Sequence, residues 1–316
     1  MAWLYRGALA LRGLSFALGL RRAQRAPVPV IVVGNLVAGG AGKTPTVIAL
    51  VQALQAAGHR PGVISRGHGR RDTATRAVRD RSTPAEVGDE PLLIRRRTAV
   101  PTWVGARRID AARALCAAHP EVDLIVADDG LQHRALARDV QVVVFDERGI
   151  GNGRLLPAGP LREPMPRHLP VNTHVLYNAA QPSTRWAGPC AERRLAGAVR
   201  LQAWWSGVSP SPEALATLRG HRVVAAAGMA APQRFFAMLE AAGLALDPLP
   251  LPDHYAFATP PWPAQATDVL LTEKDAVKLL PAADARPRLW VVGLDFRLPD
   301  GFVANLLDNL QRVTRR

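Results

Sequence analysis

Cysteine is nearly absent from this chain of 316 residues. Its two cysteines, Cys116 and Cys190, lie in unrelated sequence contexts. Two isolated thiols cannot build the disulfide framework of a small secreted domain, and they do not have the spacing of a zinc site. The sequence therefore predicts a protein of the reducing cytoplasm, without disulfide bonds.

Acidic residues are scarce in the first 120 positions, and this gives the chain most of its formal net charge of +14. Those positions hold 19 Lys and Arg against 6 Asp and Glu, whereas the remaining 196 residues hold 21 and 20. A basic surface attracts phosphate, acidic lipid or nucleic acid. The charge thus predicts an anionic partner for the first part of the chain.

Aromatic residues are few, at 5% of the sequence, and they are not interleaved with the arginines. Nucleic-acid-binding proteins combine basic surfaces with stacking aromatic residues or carry a recognised motif, and neither is present. We expect no nucleic-acid partner. Lysine is rarer still, because Lys43, Lys274 and Lys278 are the only three.

Long uncharged apolar runs are also missing, and the apolar N-terminal segment 1–25 is interrupted by Arg6 and Arg12. A bilayer-spanning helix needs about 20 apolar residues, and a signal peptide needs a separate basic start and a cleavage site. We expect neither. Two interpretations stay open: a helix lying in a membrane interface, which the flanking arginines favour, or an ordinary helix docked on the core.

The segment 28–54 contains a strand, a glycine-rich turn and a helix. Val28–Val33 is an apolar β-branched run, which predicts a buried strand, and Thr46–Leu54 predicts a helix. Backbone N–H groups of such a turn, together with the helix N-terminus, bind phosphate oxygens. The sequence therefore predicts a phosphate-binding loop over the residues Gly39, Gly40, Ala41, Gly42, Lys43, Thr44 and Pro45.

Lys43 and Thr44 carry the chemistry of this loop. In a phosphate-binding loop, the lysine reaches the β- and γ-phosphates and the hydroxyl binds Mg²⁺. The strict motif has a glycine five positions before Gly42, where this chain has Val37. The match is imperfect, but the lysine and the threonine stand correctly between strand and helix.

Adjacent carboxylates follow a second buried strand, predicted over Leu124–Ala127. Asp128 and Asp129 end this strand in the arrangement known as Walker B, which holds Mg²⁺ directly or through water. Two neighbouring carboxylates repel each other unless a cation compensates them.

Asp89 and Glu90 precede a helix predicted from Leu92; either they cap it, which the residues alone favour, or one of them faces the active site.

The segment 149–163 is rich in glycine and proline, so it forms no regular element, and a loop of this length is typical of a site cover. Strands predicted at 223–228, 269–272 and 289–292 and a helix at 232–243 indicate a second, smaller α/β unit. The histidine in Asp253-His254-Tyr255 and the cluster Thr272–Lys278 receive no chemical role from the residues alone.

Seven motifs occur in a fixed order: GNLVAGGAGKTP, SRGHGR, GDEP, DDGLQH, GNGRLLPAGPLRE, DHY and TEKDAVK. This combination resembles the tetraacyldisaccharide 4′-kinase family over roughly residues 1–295. The resemblance implies transfer of the ATP γ-phosphate to the 4′-hydroxyl of tetraacyldisaccharide 1-phosphate, giving the 1,4′-bisphosphate lipid A precursor. It also implies a location at the cytoplasmic face of the bacterial inner membrane. His68 stands where the family is expected to have tyrosine.

The resemblance also implies the roles of the site residues. Lys43 contacts the triphosphate, and ATP and Mg²⁺ are the expected cofactors. Asp89 and His254 form the pair that removes the proton of the sugar hydroxyl. The expected metal-binding residues are Thr44, Asp128, Asp129 and Glu163.

The predicted fold class is α/β, with a parallel sheet of the P-loop NTPase type sandwiched by helices. The predicted division is a membrane-interface helix at 1–26, a kinase core at 27–185 and a smaller α/β subdomain at 186–316. Lipid substrate and anionic inner membrane are the expected partners, with no obligate protein partner evident. An alternative is a membrane-surface ATPase switch of the partitioning type. Those proteins carry a second lysine that would fall at Ala38, so the sequence counts against it.

Overall fold

A computed structural model describes residues 2–280 and 287–314; residues 1, 281–286, 315 and 316 lie outside it. Two sheets organise the described residues. The strands of the first sheet are β1 (Val30–Gly34), β2 (Pro61–Ser65), β3 (Arg76–Ala77), β4 (Thr102–Val104), β5 (Leu124–Asp128), β6 (Val140–Asp146) and β7 (Thr173–Asn178). The strands of the second sheet are β8 (Glu192–Arg200), β9 (Arg222–Gly228), β10 (Ala245–Leu251), β11 (Asp268–Thr272) and β12 (Arg288–Arg297).

The first sheet has the strand order β3-β4-β2-β5-β1-β6-β7. All its neighbouring strands are parallel except β3, which is antiparallel to β4. β1 lies between β5 and β6, so the chain leaves β1 toward β2 on one side and crosses β1 on its way from β5 to β6. Ligands bind at the carboxyl ends of the strands where the order changes in this way.

Both faces of β1 are buried, which explains its unbroken apolar sequence. Ile31 and Val33 pack into the core on one face of the sheet, against helix α2 (Lys43–Ala56), whereas Val30 and Val32 pack into the core on the other face. The alternation follows from the two-residue period of a strand. β1 is thereby fixed from both sides, and so is the loop that follows it.

The helices are α1 (Ala2–Ala17), α2 (Lys43–Ala56), α3 (Pro84–Val87), α4 (Asp89–Thr98), α5 (Arg108–Ala118), α6 (Leu201–Trp205), α7 (Pro212–Ala216), α8 (Pro232–Ala241), α9 (Glu273–Ala276) and α10 (Phe302–Thr314). α2 packs against α4 and β12, and α4 packs against α9. These contacts join the two sheets. α1 is too short to cross a membrane, and the same holds for every other helix within 2–280 and 287–314.

The second sheet has the order β10-β9-β11-β12-β8, and only β8 is antiparallel to its neighbour. The α/β fold with mostly parallel sheets is confirmed. The division at residue 186 stays a prediction; α10, which follows the second sheet, packs back against β6 and α2 of the first.

Three helix boundaries differ from the predictions. α1 ends at Ala17, well before residue 26, because Gly19 adopts the left-handed conformation, with φ 72°, that terminates helices. α2 begins at Lys43 rather than Thr46, and α4 begins at Asp89 rather than Leu92. The last two differences bring functional side chains into the first helical turn.

Candidate active site

The phosphate-binding loop joins β1 to α2, and its last glycine has a packing reason as well as a conformational one. Gly42 adopts φ 84° and forms the N-cap of α2. A Cβ atom there would lie 1.9 Å from Nδ2 of Asn178, at the end of β7. That amide group donates a hydrogen bond of 3.2 Å to the carbonyl of Ala41. The loop is therefore held in shape by a residue far away in sequence.

Lys43 lies in the first turn of α2 with its side chain only 10% exposed. Its Nζ donates to Oδ1 of Asn35 at 3.2 Å and lies 3.7 Å from Oδ1 of Asp129. Asn35 in turn donates to the carbonyl of Gly39 at 3.3 Å. The sequence did not identify Asn35, although it stands in the first of the seven motifs.

A cleft of about 210 Å³ opens between this loop and the second sheet. The polar end of the cleft is formed by the loop and α2, and the other wall is largely apolar. The predicted loop residues that line it are Gly40, Gly42, Lys43, Thr44 and Pro45, and the apolar wall comes from Leu195, Met229, Phe235, Met238 and Phe296. This shape accommodates a ligand with one anionic and one apolar end.

Asp128 is the last residue of β5 and is buried. One carboxylate oxygen accepts a hydrogen bond of 3.0 Å from Oγ of Ser65, and the other, Oδ1, has no hydrogen-bond partner among the described residues. Burial raises the pKa of Asp128 to about 7, and the nearby charges of Glu90 and Asp129 add to this effect. A buried carboxylate in this state is stabilised by a cation.

Asp129 follows with φ 47°, which turns its side chain out of the strand direction. Nη1 of Arg162 lies 3.0 Å from both of its carboxylate oxygens. Burial alone would raise the pKa of Asp129, but Lys43 and Arg162 outweigh it and lower the pKa. The two adjacent aspartates therefore differ: Asp129 forms ion pairs with Lys43 and Arg162, whereas Asp128 forms none among the described residues.

Glu163 is connected to Asp129 through the side chains of Gln132 and Arg162. Its carboxylate accepts a hydrogen bond of 3.0 Å from Gln132 and lies 3.7 Å from Arg134. Gln132 also accepts a 3.4 Å hydrogen bond from Arg162, the partner of Asp129. Among the described residues, no group of three or more His, Cys, Asp and Glu is arranged to hold a metal ion. The four predicted metal-binding residues thus stay a prediction.

The structure brings Asp89 and His254 together. Oδ2 of Asp89 lies 2.9 Å from Nδ1 of His254, and Oδ1 accepts a hydrogen bond from the backbone of Glu90. Asp89 does not cap its helix, because Gly88 is the N-cap with φ 89° and Asp89 already belongs to the first turn. The capping interpretation is therefore wrong, and the carboxylate is free to face the second sheet.

For Asp89 and for His254 alike, burial shifts the pKa in one direction, and the hydrogen bond between the two residues shifts it in the other. Burial would raise the pKa of Asp89, but the hydrogen bond from His254 and the charges of Lys274, His254 and Lys278 outweigh it, and the pKa is lowered. The same hydrogen bond raises the pKa of His254, against the effects of burial and of Lys274. Asp89 is consequently ionised at neutral pH.

Two lysines, one in α9 and one just after it, lie next to the Asp89–His254 pair, and neither received a role from the residues alone. Lys274 lines the cleft and contacts Asp253 and His254. Lys278, 6% exposed, lies 3.8 Å from Asp89 and 2.9 Å from the buried Asp275. Together with Lys43 these are all the lysines of the chain. The scarcity of lysine, and the place of Lys274 and Lys278 in the TEKDAVK motif, were the signals in the sequence that these residues have a role.

His68, His133 and Arg108 are further basic residues of the region around the site. The ring of His68 lies 5.3 Å from that of His254. His133 is half-buried, and burial, with Arg108 and Arg12 nearby, lowers its pKa to about 4, so it is neutral. Burial lowers the pKa of Arg108 to about 10.

Helix α1 contacts the long loop of the site directly. The hydroxyl of Tyr5 donates a hydrogen bond of 2.7 Å to the carbonyl of Arg162, and Arg12 donates to the carbonyl of Gln132. No residue of α1 is buried. The apolar side chains at or just after this helix that are at least 52% exposed are Trp3, Leu4, Leu11, Leu14, Leu18 and Leu20.

Comparison with known proteins adds a family to this geometry. Residues 1–311 match the family model described as tetraacyldisaccharide-1-P 4′-kinase. The tetraacyldisaccharide 4′-kinase of Leptothrix cholodnii is 56% identical over 311 residues, which cover 97% of this chain and 89% of that protein. The enzyme of the same name from Methylibium petroleiphilum is 54% identical over 313 residues, covering 97% and 87%.

A solved structure shares the fold. It is the crystal structure of the "apo" form of LpxK from Aquifex aeolicus in complex with ATP. The TM-score is 0.78 at 24% sequence identity, and the match covers 99% of this chain and 96% of that one. The arrangement of both sheets is thus similar to that of a known protein.

Proposed function

This chain belongs to the tetraacyldisaccharide-1-P 4′-kinase family, and we propose that the cleft beside Lys43 is where it acts. The family makes it an ATP-dependent lipid kinase that phosphorylates the lipid A precursor at the 4′ position. The proposed substrate is tetraacyldisaccharide 1-phosphate, and the product is the 1,4′-bisphosphate. A partitioning-type nucleotide switch is not carried further, because the family model matches nearly the whole chain.

One observation carries the proposal: the phosphate-binding loop and the residues next to a candidate base line the same cleft. Lys43 and Lys274 both line it, and Lys274 contacts His254, the hydrogen-bond partner of Asp89. Phosphoryl transfer requires a bound triphosphate and a positioned acceptor hydroxyl. Both requirements are supported by residues that surround a single opening.

The nucleotide is held by the loop Gly39–Pro45 and by the apolar wall of the second sheet. The free N–H groups of the first turn of α2, together with the ammonium group of Lys43, bind the β- and γ-phosphates. The apolar wall suits the flat base of ATP.

Magnesium is expected beside the phosphate-binding loop, with Thr44, Asp128, Asp129 and Glu163 as the proposed residues. The unpartnered buried oxygen of Asp128 fits a cation. Mg²⁺ is usually held by one or two carboxylates plus substrate phosphates, so a complete protein cage is not required. When bound, the ion would neutralise charge on the phosphate oxygens.

Asp89 is the proposed base, and His254 orients it. As the 4′-oxygen attacks the γ-phosphorus, its proton passes to the carboxylate of Asp89, the bond from the γ-phosphorus to the bridging oxygen breaks, and ADP leaves. An isolated aspartate is a weak base, with an ordinary pKa of about 3.9. Positioning and charge neutralisation by Lys43 therefore contribute most of the rate.

Helix α1 is proposed to lie in the cytoplasmic face of the inner membrane. Its exposed apolar side chains enter the interface, and its arginines meet anionic headgroups. The excess of basic residues in the first 120 positions serves the same contact and the substrate's phosphate. We propose no obligate protein partner.

Transfer of ³²P from ATP·Mg²⁺ to tetraacyldisaccharide 1-phosphate in detergent micelles tests the proposal. The Lys43→Ala variant is assayed alongside, with Arg222→Met as the matched control, because Arg222 forms an exposed ion pair with Asp247 far from the cleft. Labelled lipid from the wild type and the control, lost in Lys43→Ala, supports it. ATP hydrolysis without labelled lipid contradicts it.

A further inference from the structure

Lys274 makes three polar contacts that join separate parts of the site. Its Nζ lies 3.1 Å from Oδ1 of Asp253, 3.5 Å from Oε1 of Glu90 and 3.5 Å from Nε2 of His254. Glu90 lies in the first turn of α4 beside the first sheet, whereas Asp253 and His254 follow β10 of the second. The ammonium group therefore bridges the two sides of the cleft next to the Asp89–His254 pair.

The chemistry of an ammonium group favours one tautomer of the histidine. Ammonium carries three N–H donors and no acceptor, so a hydrogen bond from it to an imidazole nitrogen uses the lone pair of that nitrogen. Nε2 of His254 is that nitrogen. The proton of the neutral ring is then on Nδ1, which donates to Asp89 at 2.9 Å.

The charged groups facing His254 come from every element around it. Asp89 belongs to α4, Lys274 to α9, and Asp253, 3.9 Å from Nε2, to the same loop as His254. His68 approaches from the loop after β2. Lys274 is the cation among these groups that lies against Nε2.

Lys274 itself stays charged. Burial would lower its pKa, but the carboxylates of Glu90, Asp89 and Asp253 outweigh this, and the pKa is raised. An ammonium group beside Nε2 opposes a second proton on the ring, because two positive charges would then face each other. A doubly protonated ring would make Asp89 a weaker base.

We propose that Lys274 is a positioning residue for the phosphate transfer: it holds the Asp253–His254 segment against Glu90 and opposes a proton on Nε2 of His254, so that the neutral ring carries its proton on Nδ1, toward Asp89. The inference rests on the proposed role of Asp89 and His254. It assigns a role to the TEKDAVK motif, for which the sequence offered only the start of a helix.

The test compares Lys274→Met and Lys274→Arg with the wild type and with the control Arg222→Met. Lipid-dependent phosphate transfer is measured from pH 6 to pH 9, and the His254 nitrogens are followed by ¹⁵N NMR in the full-length protein. The methionine removes the charge but keeps the length and apolar stem of the side chain. The arginine keeps the charge.

We expect Lys274→Met to leave the KM for ATP within about twofold and to lower kcat, with a loss about tenfold greater at pH 6 than at pH 9, as a shift of one pKa unit gives. Nε2 of His254 should take up its proton at higher pH than in the wild type. Lys274→Arg should restore both properties at least in part, and Arg222→Met should change neither.

The proposal is overturned if kcat falls by the same factor at every pH and the His254 titration is unchanged, because Lys274 would then be merely structural. It is also overturned if the methionine variant matches the wild type. A wild-type protein that transfers no phosphate to lipid would instead contradict the proposed function, so the two failures are distinguishable.

Discussion

The carboxylate of Asp89 and the imidazole of His254 meet at 2.9 Å although 165 residues separate them in the chain. Asp89 lies in the first turn of α4, beside the first sheet, and His254 follows a strand of the second sheet. The pair exists only when both sheets are in place. Folding of the second sheet is therefore a condition for the chemistry at the first.

The roles of the two histidine nitrogens can be separated by substitution. An asparagine at position 254 places an amide donor close to where Nδ1–H stands, whereas a glutamine places it near Nε2. If donation from Nδ1 to Asp89 matters, we expect His254→Asn to keep at least about tenfold more kcat than His254→Gln, as expected for the loss of a charge-assisted hydrogen bond. Equal activities of the two variants would show that Nδ1 is not the important donor.

Removal of the base should affect chemistry rather than nucleotide binding. In Asp89→Asn the carboxamide keeps the size of the side chain but cannot accept the proton, so kcat should fall by about 10²–10⁴-fold, the usual contribution of general base catalysis. The dissociation constant for ATP, measured by calorimetry, should change by less than about threefold, because Asp89 does not line the loop. Weakened ATP binding with unchanged kcat would exclude Asp89 as the base.

The ionisation of Asp89 should appear in the pH dependence of stability. Its pKa in the folded protein is lowered below the unfolded value, so the stabilisation is present above about pH 4 and is lost as pH falls through the folded pKa. Thermal unfolding of the wild type and Asp89→Asn, followed by circular dichroism from pH 3 to pH 8, measures this. The advantage of the wild type in Tm should be largest near pH 5 to 6, fall below pH 4 as Asp89 is protonated, and fall again above about pH 6.5, because His254, whose pKa Asp89 raises, loses its proton there. A difference that is constant down to pH 3 would contradict the prediction.

Asp128 should destabilise the protein in the absence of a cation. Burial raises the pKa of Asp128 to about 7, so the ionised carboxylate is disfavoured without a cation; Asp128→Asn removes the charge and should raise the free energy of unfolding of the metal-free protein at pH 8 by about 1–3 kcal/mol. Mg²⁺ with a non-hydrolysable ATP analogue should then raise the Tm of the wild type more than that of the variant. Equal stabilisation of both by Mg²⁺ would place the ion elsewhere.

The exposed apolar residues at α1 should govern binding to anionic vesicles. Replacing Leu11, Leu14 and Leu18 with serine leaves Tyr5 and Arg12 in place and should weaken sedimentation with phosphatidylglycerol vesicles at least about tenfold, since each buried leucine contributes roughly 1.5–3 kcal/mol. Serine at Val171 and Val208, which are exposed elsewhere, provides the control. Unchanged binding of the triple variant would show that another surface docks on the membrane.

Local sequence signals predicted the parts of the site that the chain builds within a few residues. Lys43 and Thr44 stand between a strand and a helix, and Asp128 ends a strand; both patterns are set by the immediate neighbours. The α/β fold followed from the alternation of such elements. The start of α4 was misplaced because Gly88 serves as the N-cap, and nothing in the sequence GDEP distinguishes it from a capping aspartate.

The rest of the site depends on contacts between distant residues. Asn178 supports the phosphate-binding loop from 137 positions away, and Arg162 compensates Asp129 from 33 positions away. The sequence around Asn178 or Arg162 contains no local pattern that predicts such a role. The sequence singled out Lys274 only as one of three lysines and as part of the TEKDAVK motif. Such partners can be identified only once the sheets are assembled.

The hydrogen bonds from Tyr5 and Arg12 to the backbone of Arg162 and Gln132 tie α1 to the residues around Asp129. If α1 lies in the interface, as proposed, Asp129 is close to the headgroups, because Arg162 contacts both Tyr5 and Asp129. The enzyme would then meet its lipid by lateral diffusion in two dimensions. Its rate should follow the mole fraction of substrate in the membrane, so dilution with inert lipid should slow it even when the total amounts of enzyme and substrate are constant.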